Sequence, residues 1–555
     1  MNDKITGGEA IYRVLRDQGV GTVFGLLGGS MLELYDAILS GGEIAYVGAR
    51  DERAAGHMAD AHARITGRPG IVLGAQAGPG VVNLATVVAE AHLAYSPLVA
   101  IAGAISRPDL GKDTFQEIDQ VALFAPIAKK SVMVTDPSRL VEMLRDAIRL
   151  AMSGRRGPVV LHVPRDLMSA KVALPAQGPV RIAKAGPPAD EDVVAIKAMI
   201  ASAKRPVIFA GGGFKWADGA ADLKALVETL QIPVVASTGH ADVMPHGHPL
   251  FAGQGGPRGN NVASGLTRDA DVILALGARL AFNSTFFSND YVNSDARIAQ
   301  VDIEGAAIGR YFPVEIAVQA DARQTALALM DATRGDWSDW LARFETDKAA
   351  LAQERANEAA MNTTPMHPRR ALAEIRAALP KNAIVSLATG NACLQSADRL
   401  AHYQTPGLIT PLDFGLVGFG YAAALGAQAA APDRPVISIM GDGGFGFTMT
   451  EITSAVAYNL PVVAIVLDDG AWGAEKAYQM ELFGGRLLGA EIESPPYDKV
   501  AELIGALGFA VSKPEQIGAA ISEALSAKRP AVIHVKIDPN ALNTLRKDLF
   551  ATEDE

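Results

Sequence analysis

Short apolar runs alternate along this chain with longer segments of helical periodicity, and the alternation recurs in three successive blocks. In the first block, the apolar run TVFGLLGG precedes the helical segment HMADAHARITG, which the apolar run GIVLGAQAGPG follows. Such alternation is typical of strands that are joined by crossover helices, and it favours parallel sheets. We therefore predict an α/β fold with three consecutive parallel-sheet domains.

The length of the chain supports this division. It has 555 residues, whereas a single hydrophobic core stops growing at roughly 250–300 residues. The proline-rich segment LPAQGPVRIAKAGPPADED and the polar segment DKAALAQERANEAAMNTTPMHP separate the blocks. We place the domains at residues 1–180, 190–345 and 365–545, and we expect the charged tail RKDLFATEDE to be loosely ordered.

Charge and cysteine content exclude several classes of protein. The formal net charge of -11 argues against binding of nucleic acid. A single cysteine, Cys393, excludes internal disulfides and indicates a cytoplasmic, reducing location. The N-terminus lacks the apolar block of a secretory signal. Two long uncharged stretches, Pro69–Ala89 and Phe414–Pro432, contain glycine, proline and amide residues, so we expect core segments rather than membrane spans.

The strongest chemical signal lies in the third block, where two predicted strands end in acidic residues. The strand VISIM ends at Gly441, and Asp442, Gly443 and Gly444 follow it. Glycines at such a turn let backbone N–H groups approach a phosphate. The strand VVAIVL ends at Asp468-Asp469. If the strands are neighbours, Asp442 and Asp469 can lie on either side of one ion, and two carboxylates with diphosphate oxygens suit Mg²⁺.

With these two motifs, the chain resembles the thiamine diphosphate-dependent enzymes of the acetolactate synthase and pyruvate oxidase superfamily, in which GDG precedes NN by about two dozen residues. The resemblance implies pyrimidine-binding, central and diphosphate-binding domains. It also implies Mg²⁺ ligands and cofactor contacts, namely Asp442, Asp469 and the backbone oxygen of Ala471 for the metal, and Gly441, Gly443, Gly444, Asp469, Ala471, Trp472 and Gly473 for the cofactor. Asp468-Asp469 replaces the usual Asn-Asn, and the added negative charge either weakens cofactor binding or demands a balancing cation.

The first block carries a matching motif, RDERAAGHMADAHARITGRPG. The superfamily has a glutamate in this stretch, and alignment on His57–Asp60 puts Glu52 at its position, with Asp51 in place of the usual histidine. The resemblance implies that Glu52 exchanges a proton with the pyrimidine ring and so activates the cofactor.

Other positions follow from the same resemblance. Gly28 and Gly29 are expected to approach the pyrimidine, Phe115 and Gln116 to form part of the active-site wall, and Val417 to impose the bent shape of the cofactor. Glu52 and the metal site lie in different blocks, which different subunits contribute in this superfamily. The resemblance therefore implies a homodimer or homotetramer with active sites between subunits.

Within the superfamily, the segment WGAEKAYQMELFGGRLLGAEIES is similar to that of the sulfoacetaldehyde acetyltransferases. This likeness implies conversion of sulfoacetaldehyde and phosphate to acetyl phosphate and sulfite. Such a site holds two anions and needs cationic surfaces. The candidate cations are Lys112, Arg258, Lys476 and Arg486.

Arg50-Asp51 and Gly485-Arg486 depart from that enzyme's pattern and leave other reactions open. The alternatives are a carboligase or decarboxylase acting on a 2-oxo acid such as pyruvate, and an acyl-CoA lyase of the oxalyl-CoA decarboxylase type. The glycine turn Gly211–Gly213 makes bound FAD possible, although it lacks the GxGxxG spacing and an empty structural domain is favoured. A catalytically inactive regulatory protein is the non-enzyme hypothesis, against which Glu52, Asp442 and Asp469 argue.

Overall fold

A computed structural model describes residues 4–173, 178–411 and 413–543, so the tail RKDLFATEDE lies outside the described residues. The chain divides into two compact units. The first comprises residues 1–184, 413–433 and 447–462, and the second comprises residues 185–412, 434–446 and 463–555.

The first unit contains a parallel sheet of six strands, which in spatial order are Ala45–Gly48, Thr22–Leu26, Gly70–Gly74, Leu98–Ala104, Val159–Pro164 and Lys130–Met133. A short antiparallel pair, Ile5–Thr6 with Lys171–Val172, lies apart from this sheet. The α-helices of the first unit are Gly7–Asp17, Leu32–Gly41, Glu52–Thr66, Pro79–Val82, Ala85–Leu93, Gln120–Phe124, Leu140–Met152, Arg165–Ser169, Phe419–Ala430 and Ile452–Ala457.

The helix Glu52–Thr66, which we call the glutamate helix, has well-defined ends. Asp51 caps its N-terminus by accepting a hydrogen bond from the Arg53 backbone N–H at 2.7 Å. Gly67 ends it with a φ of 67°, a conformation that glycine adopts without steric cost. The helix packs against the helix Phe419–Ala430 so closely that a Cβ at Gly426 would lie 1.9 Å from the Met58 backbone oxygen.

The second unit contains two further parallel sheets of six strands each. The strands of the central sheet, in spatial order, are Phe251–Gln254, Val234–Ala236, Pro206–Ala210, Val272–Leu276, Arg297–Asp302 and Ile316–Gln319. The accompanying α-helices are Asp190–Ser202, Gly212–Trp216, Ala220–Leu230, Asn261–Asp269, Phe282–Thr285 and Ala322–Ala328.

The strands of the C-terminal sheet, in spatial order, are Leu408–Ile409, Ile384–Leu387, Val436–Gly441, Val463–Asp468, Ala531–Lys536 and Leu507–Val511. The remaining α-helices of the second unit are Ser338–Ala359, Pro368–Ala378, Asn391–Ser396, Asp442–Gly446, Gly473–Leu482, Tyr497–Ile504 and Pro514–Ala527.

These sheets confirm the predicted α/β class and the three parallel sheets. The apolar runs TVFGLLGG, GIVLGAQAGPG, VISIM and VVAIVL correspond to the inner strands Thr22–Leu26, Gly70–Gly74, Val436–Gly441 and Val463–Asp468, and none of them corresponds to an edge strand. The stretches Pro69–Ala89 and Phe414–Pro432 contribute a buried strand and short helices. Among the described residues, no helix combines the length and the hydropathy that a membrane crossing requires.

The glycine turn Gly211–Gly213 is explained by packing of the central sheet. A Cβ at Gly211 would lie 2.3 Å from the Gly277 backbone oxygen, and one at Gly213 would lie 2.6 Å from the Gly277 Cα. At Gly212, a Cβ would lie 2.8 Å from the ring of His240. Packing against backbone therefore requires glycine at Gly211 and Gly213, whereas a Cβ at Gly212 would have to displace the His240 ring.

Candidate active site

Two acidic segments meet at one edge of the C-terminal sheet. The strands Val436–Gly441 and Val463–Asp468 are paired in parallel, with Gly441 opposite Leu467. The prediction that these strands are neighbours is confirmed, and because parallel strands end at the same edge, Asp442 and Asp469 follow adjacent strand ends.

Asp442 is fully buried and lies at the start of the helix Asp442–Gly446. The Ser494 hydroxyl donates to its Oδ2 at 2.6 Å, and the Tyr497 hydroxyl donates to its backbone oxygen at 2.8 Å. Its Oδ1 is buried and has no hydrogen-bond partner among the described residues. Burial raises the pKa of Asp442, and the nearby Asp468 carboxylate acts in the same direction.

Asp469 begins the turn that precedes the helix Gly473–Leu482. Its Oδ1 accepts a hydrogen bond from the Ala471 backbone N–H at 3.3 Å. Burial and the negative charge of Asp442 raise the pKa of Asp469 to about 7. A buried and a partly buried carboxylate that disfavour each other's ionised forms are suited to sharing a cation.

Asp468 has different partners, although it is the neighbouring residue. Its Oδ2 accepts hydrogen bonds from His534 Nε2 at 2.5 Å and from Lys536 Nζ, and its Oδ1 accepts from the Gly470 backbone N–H at 2.9 Å. Burial acts to raise the pKa of Asp468, but the hydrogen bonds from His534 and Lys536, together with the charge of Lys536, outweigh it and lower the pKa to about 2.

The predicted glycines around these carboxylates differ in what surrounds them. A Cβ at Gly443 would lie 2.8 Å from the Trp472 ring, and one at Gly473 would lie 2.6 Å from Asp469 Oδ2. Beside Gly441, in contrast, no atom lies within 4 Å of the Cβ position, so the strand end is open there. Gly444 would meet only the end of the Met440 side chain, at 3.6 Å.

This donor set fits Mg²⁺ bound together with a diphosphate. The described residues contain no group of three or more histidine, cysteine or carboxylate side chains that could hold a metal alone. Mg²⁺ commonly takes one or two carboxylates and completes its shell with phosphate oxygens and water. The unpartnered Oδ1 of Asp442, the nearby Asp469 and the open strand end at Gly441 meet that requirement.

In the first unit, Glu52 is buried at the N-terminus of the glutamate helix, with 6 % of its surface exposed. Asn83 Nδ2 donates to its Oε2 at 2.9 Å. A Cβ at Gly80 would lie 2.8 Å from Oε1, so glycine at this position leaves the second oxygen accessible at close range. Glu52 is therefore a buried carboxylate that neutral groups orient.

Gln76 brings three of the predicted positions together. Its Oε1 accepts a hydrogen bond from the Gly29 backbone N–H at 2.8 Å, and its Nε2 donates to Gln116 Oε1 at 2.5 Å. A Cβ at Gly28 would lie 2.6 Å from the Gln76 backbone nitrogen. Gln116 has a φ of 69°, a left-handed conformation that is uncommon outside glycine.

Phe115 and Val417 take no part in those hydrogen bonds. Phe115 is 83 % exposed, so the residues of the first unit do not enclose it in an active-site wall. Val417 lines a cavity of about 160 Å³, which Asp51, Arg53 and Glu451 also line. Asp51 accepts a hydrogen bond from Arg53 Nη2 at 3.1 Å besides capping the glutamate helix, so it has structural partners of its own.

The four basic candidates lie in different surroundings. Lys476 is buried on the first turn of the helix Gly473–Leu482, and its Nζ lies 3.1 Å from Glu491 Oε1. Glu491 in turn forms a β-bridge with Ala471. Lys112 has a side chain 64 % exposed, Arg486 is an exposed side chain that donates to a nearby backbone oxygen, and Arg258 lies in the loop after the strand Phe251–Gln254. Lys476 is thus the one of the four adjoining the acidic turn.

Several residues of the site were missed in the sequence because their signal depends on tertiary structure. Asn83 and Gln76 lie in the glycine-containing stretch Ala75–Asn83, and nothing local marks them as partners of Glu52 and Gln116. Ser494 and Tyr497 follow the helix Gly473–Leu482 by more than ten residues of irregular chain. His534 and Lys536 lie in the inner strand Ala531–Lys536, and nothing in its sequence marks them as partners of Asp468.

Family models match the chain in three segments. The thiamine pyrophosphate enzyme N-terminal binding domain matches residues 5–123, the central domain matches residues 193–329, and the C-terminal binding domain matches residues 388–535. The fold and these matches define the class, and the chain belongs to the thiamine pyrophosphate enzyme family.

Individual relatives of the chain are enzymes of two kinds. Sulfoacetaldehyde acetyltransferase of Castellaniella defragrans is 31% identical over 99% of this chain and 96% of its own length, and that of Alcaligenes xylosoxydans xylosoxydans is 32% identical with the same coverage. The acetolactate synthase large subunit of Corynebacterium glutamicum is 31% identical over 97% of this chain and 88% of its own length. The chain is therefore an enzyme with relatives that act on small molecules.

Proposed function

We propose that this enzyme converts sulfoacetaldehyde and inorganic phosphate to acetyl phosphate and sulfite, with thiamine diphosphate and Mg²⁺ as cofactors. The observation that carries the proposal is the similarity to sulfoacetaldehyde acetyltransferases over 99% of the chain. The buried Lys476 beside the acidic turn supports it, because a sulfonate substrate requires a cation within the site.

Asp442, Asp469 and the Ala471 backbone oxygen would hold Mg²⁺, and Gly441, Gly443, Gly444, Trp472 and Gly473 would surround the diphosphate. The unpartnered Asp442 Oδ1 and the open strand end at Gly441 support this assignment. When bound, the cofactor supplies a nucleophilic carbon that adds to the substrate carbonyl.

Glu52 would hold and return a proton at the pyrimidine ring, next to Gly28, Gly29 and Val417. Its burial and its single side-chain donor, Asn83, support a role in which one carboxylate oxygen stays available. Gln116, joined to Gly29 through Gln76, and Phe115 would contact the substrate from the same side.

We further propose a homodimer or homotetramer in which the exposed apolar residues beside these groups are covered by a partner subunit. Leu27, Val82 and Phe115 directly neighbour Gly28, Asn83 and Gln116 in sequence, and they are 62%, 41% and 83% exposed. We keep domain bounds of 1–180, 190–345 and 365–545, and a cytoplasmic location, as parts of this proposal. The buried free thiol of Cys393 supports the location.

The test supplies the full-length protein with thiamine diphosphate, Mg²⁺, phosphate and sulfoacetaldehyde, and quantifies sulfite and acetyl phosphate together. We expect equal amounts of both products from the wild type and from Glu43→Gln, an exposed glutamate control, and neither from Glu52→Gln. Wild-type protein that loads with the cofactor but releases no sulfite contradicts the proposed substrate.

The second candidate is a carboligase or decarboxylase acting on pyruvate, which the similarity to acetolactate synthase supports. A parallel reaction with pyruvate in place of sulfoacetaldehyde separates the two, because only this candidate consumes pyruvate. FAD is not part of either proposal, since packing against Gly277 already explains the glycines of the central turn. No described feature favours an acyl-CoA lyase.

A further inference from the structure

We propose that Lys536, with His534, is a positioning residue that supplies a built-in counter-charge for Asp468. This pairing holds Asp468 within the sheet, so that Asp469 is the only carboxylate of the dipeptide that serves the cofactor site. The inference rests on the proposed cofactors and is independent of the proposed substrate.

The register of the C-terminal sheet creates the pairing. Asp468 lies directly opposite Lys536 in the parallel ladder between the strands Val463–Asp468 and Ala531–Lys536. His534 precedes Lys536 by two residues, and residues two apart in a strand face the same side. Both side chains therefore reach the same oxygen of Asp468, its Oδ2.

Burial makes the counter-charge necessary. Asp468 is 2% exposed and His534 is 5% exposed, and a buried carboxylate without a cationic or hydrogen-bonding partner is strongly disfavoured. Asp498 approaches the other side of the imidazole, 3.4 Å from His534 Nδ1. The Lys536 side chain is 61% exposed, so its removal takes away charge without leaving a cavity.

The neighbouring Asp469 shows the opposite environment. Its side chain lies beside the Asp442 carboxyl group, and its Oδ1 accepts a hydrogen bond from the Ala471 backbone N–H at 3.3 Å. The two successive carboxylates thus have different partners, with Asp468 paired to His534 and Lys536 and Asp469 left for a ligand.

The expected effect follows from Coulomb's law. Without Lys536, the charge of Asp468 is left to repel an anionic diphosphate. Two like unit charges on the order of 10 Å apart, at an effective dielectric constant of about 20, repel each other strongly enough to weaken a Kd about tenfold. The effect depends on Asp468 being charged, and this dependence separates it from a general loss of structure.

The experiment titrates full-length, cofactor-free protein with thiamine diphosphate at saturating Mg²⁺, using calorimetry. We expect Lys536→Gln to raise the Kd about tenfold, Lys536→Arg to keep the wild-type Kd, and the double variant Asp468→Asn/Lys536→Gln to return within about threefold of the wild type. Lys224→Gln removes a matched exposed lysine, which contacts Glu228 at 2.6 Å in the central part of the chain, and should leave the Kd unchanged.

Ionic strength provides a second readout. Because Lys536 is exposed, about 0.5 M salt should shrink the difference between Lys536→Gln and the wild type, which a packing role would not predict. An unchanged Kd in Lys536→Gln, or a loss of equal size with and without Asp468→Asn, overturns the inference. Wild-type protein that binds no thiamine diphosphate overturns the cofactor assignment as well, whereas binding without sulfite release contradicts only the substrate.

Discussion

The N-terminal and C-terminal sheets have the same strand topology, but the candidate functional residues beside them differ. Numbered along the chain within each sheet, both have the strand order 2-1-3-4-6-5, whereas the central sheet has the order 3-2-1-4-5-6. Beside the N-terminal sheet, the candidate catalytic residue is the buried Glu52, which the Asn83 amide orients. Beside the C-terminal sheet, the candidate metal ligands are the buried Asp442 and the partly buried Asp469.

This difference shows that topology fixes where a site lies while the loops decide what it does. In open α/β sheets, ligands bind beyond the carboxyl ends of the strands. The central sheet has the same kind of edge, but there Gly211 and Gly213 pack tightly on Gly277. Substitutions at the two carboxylate sites should therefore have different effects from each other, and neither should disturb the central sheet.

The largest expected effect is at Glu52. Glu52→Gln should lower kcat about 1000-fold, within the range expected for the loss of a general acid–base group, and leave the Kd for thiamine diphosphate within about threefold. Turnover is followed by sulfite release and binding by calorimetry. Glu43→Gln, at an exposed position, should match the wild type. A large loss of cofactor affinity in Glu52→Gln would contradict this assignment, because Glu52 would then serve cofactor binding rather than proton transfer.

The second-largest effect is expected at Asp442, where a substitution should weaken metal binding rather than abolish turnover. Asp442→Asn should raise the Kd for Mg²⁺ about 100-fold, since the substitution removes the charge of a metal-binding carboxylate. At saturating Mg²⁺ much of the activity should return. Titration of activity with Mg²⁺ measures this, and Asp433→Asn, an exposed aspartate, is the control. Loss of turnover that no Mg²⁺ concentration restores would contradict the assignment.

A smaller effect is expected at Asn83. Asn83→Ala removes the amide that donates to Glu52 Oε2 at 2.9 Å, and the loss of one hydrogen bond at this carboxyl group corresponds to about a tenfold decrease in kcat. KM should stay within about twofold. Asn83→Ser, which keeps a shorter donor, should recover part of the loss. Equal changes in KM and kcat would argue that Asn83 positions substrate instead.

The smallest effect is a pH dependence of stability. The pKa of Asp469 is raised in the metal-free fold, so the stabilisation by its bound proton is complete below about pH 4 and is lost as the pH rises through about 7. Since the unfolding entropy grows with chain length, the melting temperature of the metal-free protein of 555 residues should therefore fall by about 1 °C across this range for each kcal/mol lost. Either Mg²⁺ or Asp469→Asn should remove this slope, and a slope that persists in Asp469→Asn would assign it to another group.

The sequence predicts the interior of the fold better than its edges. Inner strands such as Val463–Asp468 are buried on both faces and read as continuous apolar runs. Edge strands such as Lys130–Met133 and Ile316–Gln319 are only partly buried, so solvent-exposed residues interrupt the pattern. Parallel sheets with crossover helices follow from the inner runs alone, and this is why the class could be predicted without the edges.

The acidic residues of the candidate site could be located from strand ends, but their partners could not. The Asp468–Lys536 contact joins residues 68 positions apart, and only the register of the last two inner strands brings them opposite each other. Asn83 reaches Glu52 from 31 residues away. A sequence pattern gives no information on the register between strands. Asp468, which is paired with Lys536, and Asp469, which is left for a ligand, therefore cannot be distinguished before the sheet is known.

The close packing of Gly426 on Met58 limits where the chain can be divided. The helix Phe419–Ala430 belongs to the first compact unit, although it lies in sequence between two strands of the C-terminal sheet. A fragment that ends between residues 345 and 365 would lack this helix and expose the side of the glutamate helix that it covers. An exchange of domains with a relative must therefore transfer all three segments of the first unit to keep the support of Glu52 intact.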